Sequence, residues 1–338
     1  MAWPAAFGAL SLPLALGLNL LLTGYWLLRR WPVALLPLVV AVLTWPQLMR
    51  GLALHPLYKA EAGSGPQLRV LSANVRIFNV YPQLRNEGLQ SSRDFMQWLA
   101  EHPADILCLQ EFYNEPRPTR DGTVFNAVRH VGTSRQRQVF VSKTLVNGIG
   151  GEFGMAIFTR YPILGRGTIR FGKLTQNHAM WADVRLPQGD TVRVFNMHLQ
   201  SMSMDERDIV DSYSSKSGLQ AKGRGLLRRF RRGFVARSTQ VDTLVRRIEA
   251  SPHPVLLCGD LNDFPYSYAY DQLADHLQNA WATAGTGVGA SYNGKLPLLR
   301  IDHQFASPRW QVESVRVRRD IPYSDHFPLE AVYRLPPR

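Results

Sequence analysis

Two kinds of hydrophobic pattern divide the chain. Residues 5–28 and 31–49 are almost unbroken apolar runs, separated by Arg29 and Arg30. Beyond residue 66 the apolar stretches shorten to strand length. Val255, Leu256, Leu257 and Cys258 form one continuous run, and 106–109 and 155–158 form two more, with an apolar-rich stretch at 68–72. Such runs fit strands buried on both faces. Alternation at 182–186, 192–195 and 312–317 predicts further strands with one polar face. Phe95, Met96, Trp98 and Leu99 fall at helical spacing within 91–101 and lead into the strand at 106. Strands interleaved with few helices predict an α/β sandwich rather than a helix-rich parallel fold.

The first apolar run is long enough to cross a hydrocarbon core of ~30 Å. Its start, Met1-Ala-Trp-Pro, lacks the basic residue of a signal peptide, and a second apolar run follows at once. The pattern therefore predicts a transmembrane helical hairpin over residues 1–50, a linker over 51–65 and a soluble domain over 66–338. Arg29 and Arg30 place the short loop in the cytoplasm and the soluble domain outside it. Arg50 and Lys59 flank the second run and weaken that asymmetry.

Charge adds a partner class. The net charge is +13, from 39 Lys and Arg against 26 Asp and Glu, and it resides mostly in the soluble part. That suits a polyanion: phosphate esters, nucleic acid or an anionic bilayer. Between 216 and 237 lie Lys216, Lys222, Arg224, Arg228, Arg229, Arg231, Arg232 and Arg237, with no acid. Leu226, Leu227, Phe230 and Phe234 recur at helical spacing there. Two readings compete: a basic amphipathic helix lying on an anionic lipid surface, with 222–232 as its contact, or a helix packing its apolar stripe on the domain; nucleic-acid contact is a third, with headgroups the nearer polyanion beside a membrane. Asp205, Glu206, Asp208 and Asp211 precede it and read as a solvated loop. Cys108 and Cys258 lack metal-ligand spacing and read as small core hydrophobes. The glycine-rich stretch 148–154 has no Gly-Lys-Ser/Thr sequence, which excludes a nucleotide P-loop.

The chemistry gathers where the apolar runs stop. Gly259-Asp260-Leu261-Asn262-Asp263 directly follows 254–258, and the glycine allows a sharp turn. Residues 68–72 run out at Asn74, 106–110 at Glu111, and 194–197 at His198. Arg300-Ile-Asp302-His303 and Ser324-Asp325-His326 supply two more acids and two more histidines. Strand ends are where sheets commonly display reacting groups.

This ordered series, together with Thr159-Arg160-Tyr161-Pro162-Ile163, resembles the endonuclease/exonuclease/phosphatase superfamily over roughly 66–338, and its uncharacterised membrane-anchored bacterial branch in particular. The resemblance implies a four-layer α/β sandwich, two mostly antiparallel β-sheets flanked by helices, that cleaves phosphate esters with Mg²⁺ or Mn²⁺. It implies Asn74 and Glu111 as metal ligands, with Asp325 at the metal or the nucleophile. Asp260 and Asn262 correspond to the pair that orients or deprotonates water and hydrogen-bonds phosphoryl oxygens. His198 corresponds to a donor to the scissile phosphate, and Asp302 and His326 to an Asp–His pair. The family leaves the base open among Asp260, Asp325 and His326. Asp263 reads as a structural turn acid, and His303, where tyrosine is commoner, as a neutral neighbour. The implied activity is a phosphodiesterase or phosphatase on lipid headgroups or small phosphate esters, in a bacterial inner membrane. An extracytoplasmic nuclease and a non-catalytic membrane scaffold are the alternatives.

Overall fold

The computed structural model describes residues 5–55, 58, 65–81, 84, 88–117, 125–172, 175–201, 216–294, 296 and 298–336. Asp205, Glu206, Asp208 and Asp211 lie outside the described residues. The chain opens with helix α1 (Ala5–Arg29), followed by α2 (Leu35–Leu43) and α3 (Trp45–Gly51). Within α1, Ser11–Arg29 has a mean hydropathy of 1.5 and is long and apolar enough to cross a membrane. Asn19, one of its few polar residues, donates a hydrogen bond from Nδ2 to the Pro37 carbonyl of α2 at 2.9 Å. The second apolar stretch is not one helix. It bends by 59° between α2 and α3, where Pro46 enters the first turn of α3 and cannot donate to a preceding carbonyl.

The remainder is an α/β fold with two mixed sheets. Its strands are β1 (Ala53–Leu54), β2 (Gln67–Asn74), β3 (Ile106–Asn114), β4 (Gln138–Val146), β5 (Glu152–Thr159), β6 (Ile163–Arg170), β7 (His178–Arg185), β8 (Thr191–His198), β9 (Val255–Asp260), β10 (Gln278–Asn279), β11 (Thr286–Gly287), β12 (Asp302–Ala306), β13 (Gln311–Val317) and β14 (Leu329–Arg334). One six-stranded sheet runs β13-β14-β2-β3-β5-β4 and the other β10-β12-β9-β8-β7-β6. Neighbours are antiparallel except β2 with β3 and β8 with β9. A parallel pair needs a long crossover. Helix α4 (Gln90–Glu101) lies in the first crossover and α5 (Lys216–Glu249) in the second.

Three apolar layers glue the four structural layers together, and strand parity assigns each residue to one. Leu68, Val70, Ile106 and Cys108 meet Val194, Leu256, Cys258 and Ala306 between the sheets. Leu71, Leu107 and Leu109 point the other way, onto Phe95, Met96 and Leu99 of α4. Phe195, Leu257 and Phe305 likewise cover Val241, Leu244 and Ile248 of α5. Strands buried on both faces read as unbroken apolar runs for this reason. The two cysteines are free and buried in the inter-sheet layer. Thiol contact with Cys258, then burial, pushes the Cys108 thiol up.

The basic segment 216–237 forms the first part of α5. Arg228, Arg229, Arg231 and Arg232 are exposed, whereas Phe234 and Arg237 are buried. The start of the segment expected to link helices and domain is docked: Ala53–Leu54 pairs with Thr286–Gly287. Beside it, the Arg50 guanidinium meets Asp271, and its carbonyl accepts from Arg300.

Glu330 clamps β14 in place. It is 3% exposed, and it pairs with Arg316 of β13 at 2.8 Å, Arg69 of β2 at 3.2 Å and Arg318 at 3.4 Å. Burial alone would raise its carboxyl, but His102 and Arg316 outweigh burial and hold it at about 2, below the ordinary 4.5. A depressed folded pKa contributes stability above the unfolded value, and that stability is lost as pH falls through the folded one. Glu330→Gln should therefore cost about 2 kcal/mol at neutral pH, screening by solvent around Arg316 included. The deficit should shrink as pH falls from 4.5 towards 2. Thermal denaturation of both proteins at pH 7 and pH 3 measures this, and an equal deficit at the two pH values would contradict it.

Candidate active site

The parity that sorts the core also builds the site. Along β8, β9 and β12 the inward positions pass from apolar (Val194, Leu256, Ala306) to amide or thiol (Asn196, Cys258, Gln304) and then to ionisable (His198, Asp260, Asp302). The register places His198 beside Asp260 and Asp260 beside Asp302. In the facing sheet β2 ends at Asn74, paired with Gln110. Two half-rows thus meet at one edge of the inter-sheet core.

Glu111 is out of phase by one residue. Regular pleating would turn it outward with Leu109, towards α4. The ladder between β3 and β5 slips between Leu109 and Phe112, and Glu111 adopts φ of 47°. This bulge re-aims its carboxylate, so that Asn74 Nδ2 donates to Glu111 Oε1 at 3.1 Å and to Asp260 Oδ2 at 3.2 Å. A left-handed glutamate is strained by about 1–2 kcal/mol, which the surrounding ladder must hold. Gly259 takes φ of 139°, and a Cβ there would run into the Met197 carbonyl. Only glycine lets β9 pass that close to β8 just before Asp260.

Asp302 and His326 form the tightest pair, with Nδ1 2.8 Å from Oδ2, and His326 Nε2 lies 3.9 Å from Asp260 Oδ2. Burial would lower the imidazole, but Asp302 and then Asp260 overcome it and raise it to about 10. Asp260 is 1% exposed. Burial raises its carboxyl to about 6 against the pull of His326, with Asp302 adding to the rise. His198 Nε2 stands 3.7 Å from Asp260 Oδ2 and 3.8 Å from Glu111 Oε1. Asn262, at φ of 53°, donates its backbone N–H to Asp260 Oδ1 at 2.8 Å and Nδ2 to the Leu199 carbonyl at 3.0 Å. Asp325 is partly exposed and is met by Arg76 Nε at 3.2 Å. His303 faces away from the site, against Tyr270 and the Asp263 carbonyl. Burial, and then Arg300, lowers it to about 3, so it stays neutral.

The donor set fits a hard divalent cation. Asn74 Nδ2 donates to both Glu111 and Asp260 while its Oδ1 accepts the Arg76 N–H at 3.0 Å, so the two carboxylates and, once the amide turns over, its oxygen supply the ligand chemistry of Mg²⁺ or Mn²⁺. Asp260, Asp302 and His326 form a second grouping, with one ligand atom from each within 4.8 Å of the others. An anionic substrate entering a pocket with this many acids needs positive charge that His198 and His326 alone do not supply.

Several residues that hold the site carry no catalytic signature in the sequence. Asn196 Nδ2 donates across the sheets to the Leu109 and Ala156 carbonyls, both at 3.0 Å, while Gln110 Nε2 donates to Asn196 Oδ1 at 2.7 Å. Gln304 repeats the device, donating to the Leu329 carbonyl at 2.7 Å and accepting from the Tyr333 hydroxyl. Arg237, fully buried, donates to Asp263 at 2.8 Å and to the Gln200 carbonyl at 2.9 Å, fixing the turn that carries Asn262. Ser291 Oγ accepts the Asp302 N–H, and Ser324 Oγ donates to the Asn74 carbonyl. An isolated amide inside an apolar strand was the available signal for Gln110, Asn196 and Gln304. Asn196→Ala should strip the Leu109 and Ala156 carbonyls of this donor and leave Gln110 with only Ser72 Oγ and the Cys108 carbonyl, at about 1–3 kcal/mol, read as a lowered Tm. A Tm within 1 °C of the parent, by this estimate, would show the bridge to be dispensable.

A family model described as the endonuclease/exonuclease/phosphatase family matches residues 71–326. A second model, for a domain of unknown function, matches residues 1–51. No curated protein matches the chain. Among solved structures, an endonuclease/exonuclease/phosphatase from Bacteroides vulgatus aligns with a TM-score of 0.59 at 19% identity, covering 80% of this chain and 99% of its own. One from Beutenbergia cavernae gives 0.57 at 20% identity, over 80% and 72% of the two chains. A mannosyl-6-phosphatase from Bacteroides thetaiotaomicron gives 0.51 at 17% identity, over 79% and 99%. These likenesses concern the fold.

Proposed function

Since the chain belongs to the endonuclease/exonuclease/phosphatase family, whose members are divalent-metal-dependent hydrolases of phosphate esters, we propose that it is a membrane-anchored, Mg²⁺-dependent phosphodiesterase or phosphatase. Residues 1–50 serve as its anchor and 66–338 as its catalytic domain on the extracytoplasmic face. The observation that carries the reading is the meeting of Asn74 and Glu111 from one sheet with His198, Asp260, Asp302 and His326 from the other and its closing loop. Nucleophile activation and anion stabilisation both need groups on opposite sides of a phosphorus atom, and a cleft between two sheets provides the two sides.

Mg²⁺, held by Asn74 and Glu111 with Asp325 nearby, supplies Lewis-acid stabilisation of phosphoryl charge when bound. The chain's own groups do the rest. His198 and Asn262 donate to phosphoryl oxygens; Asn262 spends one amide hydrogen on the Leu199 carbonyl and keeps the other. Asp260 orients the attacking water and accepts its proton. Asp302 holds the His326 tautomer, so that Nε2 faces the cleft and donates to the phosphate. The mannosyl-6-phosphatase shows one phosphate monoester handled on this architecture. That α1 is long and apolar enough to cross a membrane supports a position beside a bilayer, and with it lipid headgroups or small phosphate esters as substrates. The net charge of +13 also suits nucleic acid, so plasmid DNA belongs in the same assay.

The test is hydrolysis by the full chain in detergent, offered an aryl phosphodiester, an aryl phosphomonoester, plasmid DNA and mixed phospholipid vesicles. Turnover should vanish with chelator and fall about a thousandfold in Asp260→Asn, the scale of a lost general base. Glu111→Gln should abolish turnover and weaken Mg²⁺ binding by about tenfold or more in calorimetry. Full Mg²⁺-dependent turnover by Glu111→Gln would remove Glu111 from the metal site. Unchanged function in Asp260→Asn without metal would favour the scaffold reading.

A further inference from the structure

The site opens into a cavity of about 460 Å³ with a mixed lining. Glu111, His198 and Asn177 share its wall with Ile77, Tyr81, Leu145 and Phe153. Leu145 and Phe153 belong to the β4–β5 hairpin, whose tip is unusual for a surface turn. Leu145, Val146 and Ile149 are 48%, 55% and 66% exposed, and none joins a core cluster. Surface hairpin tips are normally polar, and adjacent exposed aliphatic residues next to a site mark an interaction surface.

The hairpin is built to present these side chains. The β4–β5 ladder slips between Lys143 and Leu145, so Leu145 pairs with Phe153. Without that bulge Leu145 would share the face of Lys143, which pairs with Glu152. Asn147 Oδ1 accepts N–H groups from Ile149 at 3.2 Å and Gly151 at 2.7 Å, and Gly150, at φ of 86°, returns its N–H to the Asn147 carbonyl. Gly151 lies on the Tyr113 ring, where a Cβ would collide. Ile149 is thereby held outward by a fixed turn, which spares a ligand the cost of ordering it.

The geometry points to a second subsite: Ile77, Tyr81, Leu145 and Phe153 receive the apolar substituent of an amphiphilic phosphate ester whose phosphate is held by His198 and by a cation on Glu111, and Ile149 carries that apolar contact into the lipid surface presenting it. The occupant follows from continuity. A phosphate ester reacting at His198 in a cavity that Ile77, Tyr81, Leu145 and Phe153 also line has its substituent beside apolar side chains, which suits an apolar group. The inference rests on the phosphoesterase reading of the site.

Binding and turnover test it separately. The full chain in lipid nanodiscs with Mg²⁺ would be titrated with methyl-, butyl- and octylphosphonate, with empty nanodiscs subtracted. Affinity should rise about twofold per added methylene, the scale for a half-buried chain. Leu145→Ser combined with Ile149→Ser should flatten that rise. Leu164→Ser, on β6, 50% exposed and outside the cavity lining, should keep it. Equal affinity for the three phosphonates, or a rise that survives Leu145→Ser with Ile149→Ser, overturns the subsite. Methyl and octyl phosphate esters assayed for hydrolysis separate the two claims. No turnover with the affinity rise intact overturns the hydrolase reading and leaves the subsite standing. Turnover that ignores chain length in both assays overturns the subsite alone.

Discussion

A hydrogen-bonded amide bridge between the sheets is the constraint on which the site depends. Gln110 and Asn196 face each other across the inter-sheet core, and Asn196 also satisfies the carbonyls of Leu109 and Ala156. Apolar packing between sheets is non-directional and tolerates sliding. A buried amide that loses its partner costs about 1–3 kcal/mol, so it does not tolerate sliding. The bridge sits one residue from Glu111 and two from His198, the groups contributed by opposite sheets. Sheet registration and site geometry are therefore one quantity, and Gln304, bonded to Leu329 and Tyr333, fixes it at a second point.

Beyond the bridge, the site is assembled from local departures from ideal geometry. Glu111 and Asn262 both occupy left-handed backbone, and Gly259 takes a conformation closed to other residues. Arg237 anchors the Asn262 turn through Asp263, so a helix that is exposed and basic at 228–232 carries a fully buried arginine about a turn later. The apolar-stripe reading of this helix thus holds at Phe234, which is buried. Phe234 and Arg237 pack on the domain, while Arg228, Arg229, Arg231 and Arg232 remain in solvent.

The layers were legible because they follow from periodicity. Strands buried on both faces give unbroken apolar runs, and these mark β2, β3, β5 and β9 in the sequence. The chemistry was legible because those runs end in ionisable residues. What periodicity could not supply is phase. The bulge that turns Glu111 inward depends on a strand pairing distant in sequence, the engagement of Asp325 by Arg76 on a distant ion pair, and the slip that turns Leu145 towards the cavity on a hairpin register that alternation does not reveal. The bend at Pro46 was written in the sequence but overridden by the length of the apolar stretch. Arg237 read as one more basic residue in a basic segment, because its partner lies 26 positions away.

Arg300 is buried, two residues before Asp302, and it donates to the carbonyl of Arg50 at the end of α3. Ala53 and Leu54 then pair with β11. The N-terminal helices consequently meet the domain without slack, at a point adjoining the site. A slack tether lets a catalytic group sweep a volume. Were α1 to span a bilayer, as proposed, this connection would limit the height and tilt of the site and leave mainly lateral and rotational diffusion. Encounter with a substrate in the same membrane would then be a search in two dimensions, governed by surface density instead of bulk concentration.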